Sequence, residues 1–184
     1  MATVVVTGAS GFTGSCFASL ARKKNLRVFR LVRDNREQSD DSIVFSGCVR
    51  HLSTQFGAIG CDAIIHCAAS YSPADEIEKT DQLLQANIVY PTLVLQAARA
   101  AKVSAFVNLG SLWEHDETGA RAPINHYAQL KLAFQDTLSY FSSKHGLKAI
   151  TLKLADTYAE YDTREKLFSL LWNAYTTGIP LKMT

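Results

Sequence analysis

Thr7-Gly8-Ala9-Ser10-Gly11-Phe12-Thr13-Gly14 decides the fold, because of what flanks it. Val4-Val5-Val6 lead into it, and Ser15-Cys16-Phe17-Ala18-Ser19-Leu20-Ala21 lead out. A short apolar run thus enters a glycine-rich turn that opens a helical pattern. Glycines allow a tight turn and a close backbone approach, and a helix N-terminus presents N–H groups and positive dipole to an anion. The expected product is a phosphate cradle. Its spacing is Gly-x-x-Gly-x-x-Gly, where the more familiar phosphate turn reads Gly-x-Gly-x-x-Gly. An ordinary turn that needs glycine would look the same, so the rest of the chain must decide.

Outward from this turn, apolar β-rich runs alternate with helical patterns. Strands are predicted over 3–7, 27–32, 42–46, 63–67, 105–109 and 149–154, and helices over 14–24, 51–57, 73–101, 124–145 and 163–178. The strand runs are almost continuously apolar, as strands covered on both faces are. Ser72-Pro73 ahead of Asp75 and Glu76 reads as a helix start, with a capping hydroxyl, proline at the first position and acids in the first turn. Pro91 should kink or split that long helix. The alternation predicts right-handed βαβ units in an α/β fold: a doubly wound parallel sheet with helices on both faces. Ligands of such sheets bind at the carboxyl ends of the strands, which directs attention to residues 8–14, 33–34, 68–71, 110–113 and 155–158.

The 184 residues suit one domain over 1–184 with a sizeable core. Apolar residues make up 47% and charged residues 20%, and the net charge is +2, so no basic field points to nucleic acid. The N-terminus has no basic region and its apolar run is too short for a signal peptide or a membrane span. A cytoplasmic protein is expected, with no membrane partner. Cys16, Cys48, Cys61 and Cys67 form no CxxC pair, and they and the five histidines are scattered without metal-ligand spacing. Reduced thiols and no metal are expected.

Tyr127-Ala128-Gln129-Leu130-Lys131 stands near the start of the 124–145 helix. Four-residue spacing puts Tyr127 and Lys131 on one face, a turn apart. A phenol titrates near 10, about the value in model peptides, and a nearby ammonium would lower it and ease proton exchange. Ser111, just after the 105–109 strand, is the hydroxyl to hold a substrate carbonyl beside Tyr127. An amphipathic helix with a snorkelling lysine gives the same Tyr-x-x-x-Lys pattern by itself. Together with the glycine turn and a serine at a strand end, the pattern favours catalysis by Ser111, Tyr127 and Lys131.

With these residues in place, the chain resembles the extended short-chain dehydrogenases/reductases of the nucleotide-sugar epimerase/dehydratase family, a Rossmann-type fold. The matching pieces are Thr-Gly-x-x-Gly-Phe-x-Gly at 7–14, Asp62-Ala63-Ile64-Ile65-His66-Cys67-Ala68-Ala69, Asn87, Ser111 and Tyr127-x-x-x-Lys131. The resemblance implies an NAD(P)-dependent oxidoreductase in which Ser111, Tyr127 and Lys131 form the catalytic triad. It implies that Gly8, Gly11, Phe12, Thr13 and Gly14 carry the dinucleotide, that Lys131 also grips the nicotinamide ribose, and that Ala68 and Ala69 border the cofactor. Asn87 is carried over with them, although helix packing explains it as well. A nucleotide-sugar substrate follows, and a homodimer through the 73–101 and 124–145 helices.

Asn108-Leu109-Gly110-Ser111-Leu112-Trp113-Glu114-His115 and Asp156-Thr157-Tyr158-(x)3-Asp162-x-Arg164-x-Lys166 resemble the 4-keto-reductases of deoxysugar nucleotides, of the abequose and paratose synthase type. Three departures matter. The aspartate that meets adenine after the third strand is replaced by Phe45-Ser46-Gly47-Cys48, leaving backbone groups or Ser46. Leu112-Trp113 stand where dehydratases carry an acidic pair, which disfavours dehydration. Relatives of this kind continue into a smaller substrate lobe that closes over the nucleotide-sugar, and that lobe is expected to be absent here. At the end of the second strand, Arg33 precedes Asp34. An acid there suits the ribose of NAD, an arginine the 2′-phosphate of NADP. Arg33 comes first, so NADP(H) is favoured over NAD(H). Reduction of a 4-keto-deoxysugar nucleotide is the leading expectation, with a non-catalytic dinucleotide-binding module and a nucleotide-sugar epimerase as alternatives.

Overall fold

A computed structural model describes residues 1–33, 39–72, 74–159, 162, 164 and 166–181. Asp34 and Pro73 lie outside the described residues. The span expected as one domain falls into two compact units, Met1–Leu154 and Ala155–Thr184.

The first unit holds six strands: β1 (Thr3–Thr7), β2 (Arg27–Val32), β3 (Ser42–Val44), β4 (Ala63–His66), β5 (Ala105–Ser111) and β6 (Lys148–Leu154). Their order is β3-β2-β1-β4-β5-β6, and every pair is parallel. The chain winds outward from β1 to β3, then returns to the far side of β1 and winds out again from β4 to β6. The reversal leaves a crevice at the carboxyl ends of β1 and β4, where doubly wound sheets bind ligands.

Alternation along the strands builds two cores. Val5, Ile64 and Phe106 are in register and fully buried under α2 (Val49–Ile59), α4 (Tyr90–Ala100) and α5 (His126–His145), which contribute Leu52, Phe56, Val94, Leu95, Phe134 and Leu138. Val4, Val6 and Val28 face the other way and meet Ala18 and Ala21 of α1 (Phe12–Lys23). Helices therefore cover both faces, as expected. Each fully buried Phe or Leu contributes about 1.5–3 kcal/mol. Among the described residues, no helix is long and apolar enough to cross a membrane.

Element boundaries depart from expectation in three informative places. The predicted helix over 73–101 begins late and in pieces: a 3-10 turn (Ile77–Lys79), α3 (Thr80–Leu84), a π-helical turn (Gln85–Val89), then α4. Ser72 does not cap it. Its hydroxyl donates instead to the Ala74 carbonyl (2.9 Å) and to Glu76 (3.1 Å), which is itself paired with Lys79 (2.7 Å). Pro91 divides the helix as foreseen, and the wide turn just before it accommodates the missing N–H and the ring. β5 runs two residues further than predicted, so Ser111 is its last residue, paired with Leu154. α5 starts two residues late because Asn125 caps it, accepting the Ala128 N–H at 2.9 Å.

In the second unit, Arg164 is held by Asp162 (2.7 Å) and donates to the Thr157 carbonyl (2.8 Å), so residues of the expected 156–166 motif bind one another. α6 (Leu167–Thr177) follows and closes on Gly178, whose φ of 70° suits glycine.

Candidate active site

Gly8 follows β1 with φ 65°, and the Gly11 N–H closes the turn on the Gly8 carbonyl at 3.0 Å. A Cβ on Gly8 would stand 2.7 Å from the Cα and N of Ala68, across the crevice. A Cβ on Gly14 would land on the Gly8 carbonyl. Gly8 thus lets β1 and β4 approach, and Gly14 lets α1 lie against the turn. Gly11 is the N-cap of α1, extended and with no capping side chain. A cavity of about 1040 Å³ opens over this turn, and Gly8, Gly11, Arg33, Phe45, Ala68, Ala69 and Tyr90 are among its lining residues. A turn that glycines alone let close this tightly, a bare helix N-terminus and an arginine at the rim fit a dinucleotide with its phosphates on α1.

The other residues carried over for the cofactor serve this cradle from behind. Phe12, Thr13 and Gly14 form the first turn of α1 and are not among the cavity lining. Asn87 is buried in the π turn and donates to the carbonyls of Ser70 (2.9 Å) and Leu83 (3.0 Å), so it fastens the helix to the loop after β4. Ser46 meets the His51 ring at 3.3 Å, and the aromatic pair Phe45–Tyr90 (centroids 5.5 Å) walls that end of the cavity. Burial pushes the Tyr90 phenol up, against the pull of Arg33.

Thr7 and His66 pin β1 to β4 beneath the turn. The Thr7 hydroxyl accepts the Ala68 N–H (3.1 Å) and lies 2.8 Å from His66 Nδ1. The ring packs against Phe106 and Phe134, with centroids at 5.9 and 5.6 Å. Burial first, and Lys131 second, hold His66 well below its ordinary 6.5. An unfolded chain takes up this proton near 6.5 while the folded one refuses it. Below pH 6.5 the unfolded state binds more protons, so stability falls with pH, by up to about 1.4 kcal/mol per pH unit. Urea midpoints between pH 7 and 5 should drop more steeply for the parent chain than for His66→Gln; equal slopes would refute the assignment.

The residues expected to be catalytic gather where β5 ends. Ser111 opens a 3-10 turn, Leu112–Glu114, and its Oγ accepts the Trp113 N–H at 3.2 Å. Glu114 is fully buried; its Oε1 accepts the Ser111 N–H at 2.6 Å and its Oε2 pairs with Lys153 of β6. From α5, Tyr127 and Lys131 both lie in the field of Glu114. Lys131 also interacts with Cys67, which lines the cavity, so the lysine links the two halves. Tyr71 stands edge-on to Tyr127 (centroids 5.2 Å) and beside Trp113 (5.7 Å).

The charge states correct the sequence reading. Lys131 was expected to lower the Tyr127 phenol; instead burial, then Glu114, then Tyr71 raise it to about 12. Lys131 is almost fully buried, and desolvation brings its ammonium down from 10.5 to about 8, with Glu114 opposing that fall. Glu114 went unread, although Ser111-x-x-Glu114 is the spacing of a capping box.

Comparison with known proteins identifies the family. The chain is 26% identical over 188 residues to CDP-abequose synthase of Yersinia pseudotuberculosis, covering 98% of this chain and 65% of that protein. It is 24% identical over 221 residues to dTDP-glucose 4,6-dehydratase of Xanthomonas campestris, covering 98% and 60%. The chain thus spans about three fifths of the length of these relatives. Among solved structures, UDP-glucose 4-epimerase of Thermus thermophilus in complex with NAD superposes with a TM-score of 0.76 at 22% identity, over 97% of this chain and 64% of that one. The sequence model of the NAD dependent epimerase/dehydratase family matches residues 4–184, and the chain belongs to that family.

Proposed function

We infer that this chain carries the cofactor-binding and catalytic half of an NADPH-dependent reductase, acting on a 4-keto-6-deoxyhexose linked to a nucleoside diphosphate. The observation that carries this reading is the gathering of Ser111, Tyr127 and Lys131 around one buried carboxylate, beside the cavity over the glycine turn. Gly8 and Gly11 would hold the pyrophosphate, Ala68 and Ala69 would border the nicotinamide half, and Lys131 would grip its ribose. Arg33 on the rim supports NADP over NAD, because its planar fork matches a 2′-phosphate. A bound nicotinamide dinucleotide would supply the two-electron reduction.

The chain's own residues account for the rest. Tyr127, held protonated well above neutral pH, is in the state required of a donor to the oxygen of a reduced ketone. Ser111 would orient that oxygen. Leu112 and Trp113 place no acid after Ser111, which supports reduction over removal of water. Tyr71 and Trp113 put an aromatic edge beside Tyr127, suited to the apolar face of a deoxysugar.

The test is oxidation of NADPH, and of NADH in parallel, across a panel of nucleotide-linked 4-keto-6-deoxyhexoses. NADPH should be preferred, and Tyr127→Phe should lower kcat about a hundredfold or more while NADPH affinity stays within a few fold. A Tyr127→Phe chain with near-parental turnover would overturn the assignment. Cofactor binding with no turnover of any ketone would favour a dinucleotide-binding module instead.

A further inference from the structure

Glu114 is a buried titratable group to which the reduction assigns no task. Its carboxylate is wholly removed from solvent, where an anion is costly unless paired. The structure makes room for it. A Cβ on Gly110 would come within 2.8 Å of Glu114 Oε1, so the glycine before Ser111 leaves space for the carboxylate. Lys153, paired with Glu114, also donates to Gln135 of α5 at 2.5 Å, one turn beyond Lys131. A neutral glutamine would accept the Ser111 N–H equally well. Capping therefore explains the side chain's shape and leaves its charge to be explained.

We propose that Glu114 is a positioning residue: it ties the Ser111 end of β5 to α5 and β6 and sets a fixed negative charge beside Tyr127 and Lys131. The proposal rests on the reading of those residues as catalytic. Lys131 is faced by Glu114, by Cys67 and His66 around the end of β4, and by Lys153 of β6. Tyr127 is faced by Glu114 and Tyr71, and Glu114 also acts on Arg121. Burial pulls the Lys131 ammonium down and Glu114 stops it near 8, so the positive charge survives at neutral pH. The same carboxylate favours the protonated phenol of Tyr127. One buried anion keeps both groups in the forms that reduction uses.

Lysine side-chain NMR on the chain labelled at the lysine ε-carbon, without cofactor or substrate, tests this directly. The resonance that disappears in Lys131→Met identifies Lys131. Its midpoint should lie near 8 in the parent and fall by about one pH unit or more in Glu114→Gln, which keeps the cap and loses the charge. A folded Glu114→Gln chain whose midpoint is unmoved would reduce Glu114 to a cap and overturn the proposal. Should Glu114→Gln fail to fold, Lys153→Gln serves: with the opposing cation gone, the Lys131 midpoint should rise, and a static midpoint overturns the proposal. The alkaline limb of kcat against pH should follow the same displacement. Absence of turnover in the parent would sink the reductase reading, while the NMR midpoints would still decide the placement of charge.

Discussion

Lys131→Met will make the folded chain more stable at pH 7 while removing the reductase activity proposed for it. Desolvation brings the ammonium from 10.5 to about 8, a difference that costs the fold about 3 kcal/mol. The sign follows from the protons bound. Below pH 8 the lysine is charged in both states, and the folded state bears the full cost of burying the charge. Between 8 and 10.5 the folded chain sheds the proton first and the cost fades. Methionine fills similar volume without a charge, and Glu114 keeps Lys153 as its partner, so much of that cost should be recovered. A gain of about 2 kcal/mol corresponds to roughly 4–8 °C in Tm for a chain of this size. Thermal melts should show this advantage at pH 7 and its shrinkage by pH 10. A variant no more stable than the parent at pH 7 would contradict the cost assigned to Lys131.

Gly14→Ala should abolish dinucleotide binding and destabilise the chain by about 3 kcal/mol, the upper end of overpacking costs. The added methyl would meet the Gly8 carbonyl, and would stand 3.0 Å from the Ala9 Cα, so backbone must move rather than a flexible side chain. Gly8 cannot retreat, because it is already against Ala68 across the crevice. Gly57→Ala is the internal control. Gly57 lies in α2 with nothing within 4 Å of an added Cβ, and alanine there should stabilise by up to about 1 kcal/mol. Urea denaturation and NADPH fluorescence titration measure both effects. Retention of parental NADPH affinity by a folded Gly14→Ala chain would show that the turn is not the cradle.

What the sequence revealed and what it withheld have physical causes. Strand β1, the glycine turn and α1 were legible because local pattern and turn chemistry agree there. All six strands were recognised, β1 because it is buried throughout and leaves a continuous apolar run, and β6, which has no fully buried residue, by its β-rich composition alone. The helix predicted from 73 begins late because the Ser72 hydroxyl turns to the Ala74 carbonyl and to Glu76, a local choice that a capping pattern does not reveal. Tyr127 and Lys131 were singled out by their spacing, and Ser111 by its place at a strand end. Their charge states were not legible, because those depend on burial and on Glu114, which the chain brings together from β5, α5 and β6. A pairwise rule about an ammonium next to a phenol has no access to desolvation, and here desolvation dominates both groups.

The all-parallel order of the sheet also governs how this molecule comes to exist. Among the described residues no two strands of the sheet form a hairpin, and the central pair, β1 with β4, joins Val4 to Ala63 across a loop that contains β2 and β3. Loop-closure entropy must be met before those contacts return anything, so folding should be slow for the chain's size. The crevice at that pair is also where the glycine turn meets Ala68, so no early hairpin or isolated helix can display it. Dinucleotide binding therefore reports completed topology, and a ligand that binds only the finished crevice pulls the folding equilibrium behind it.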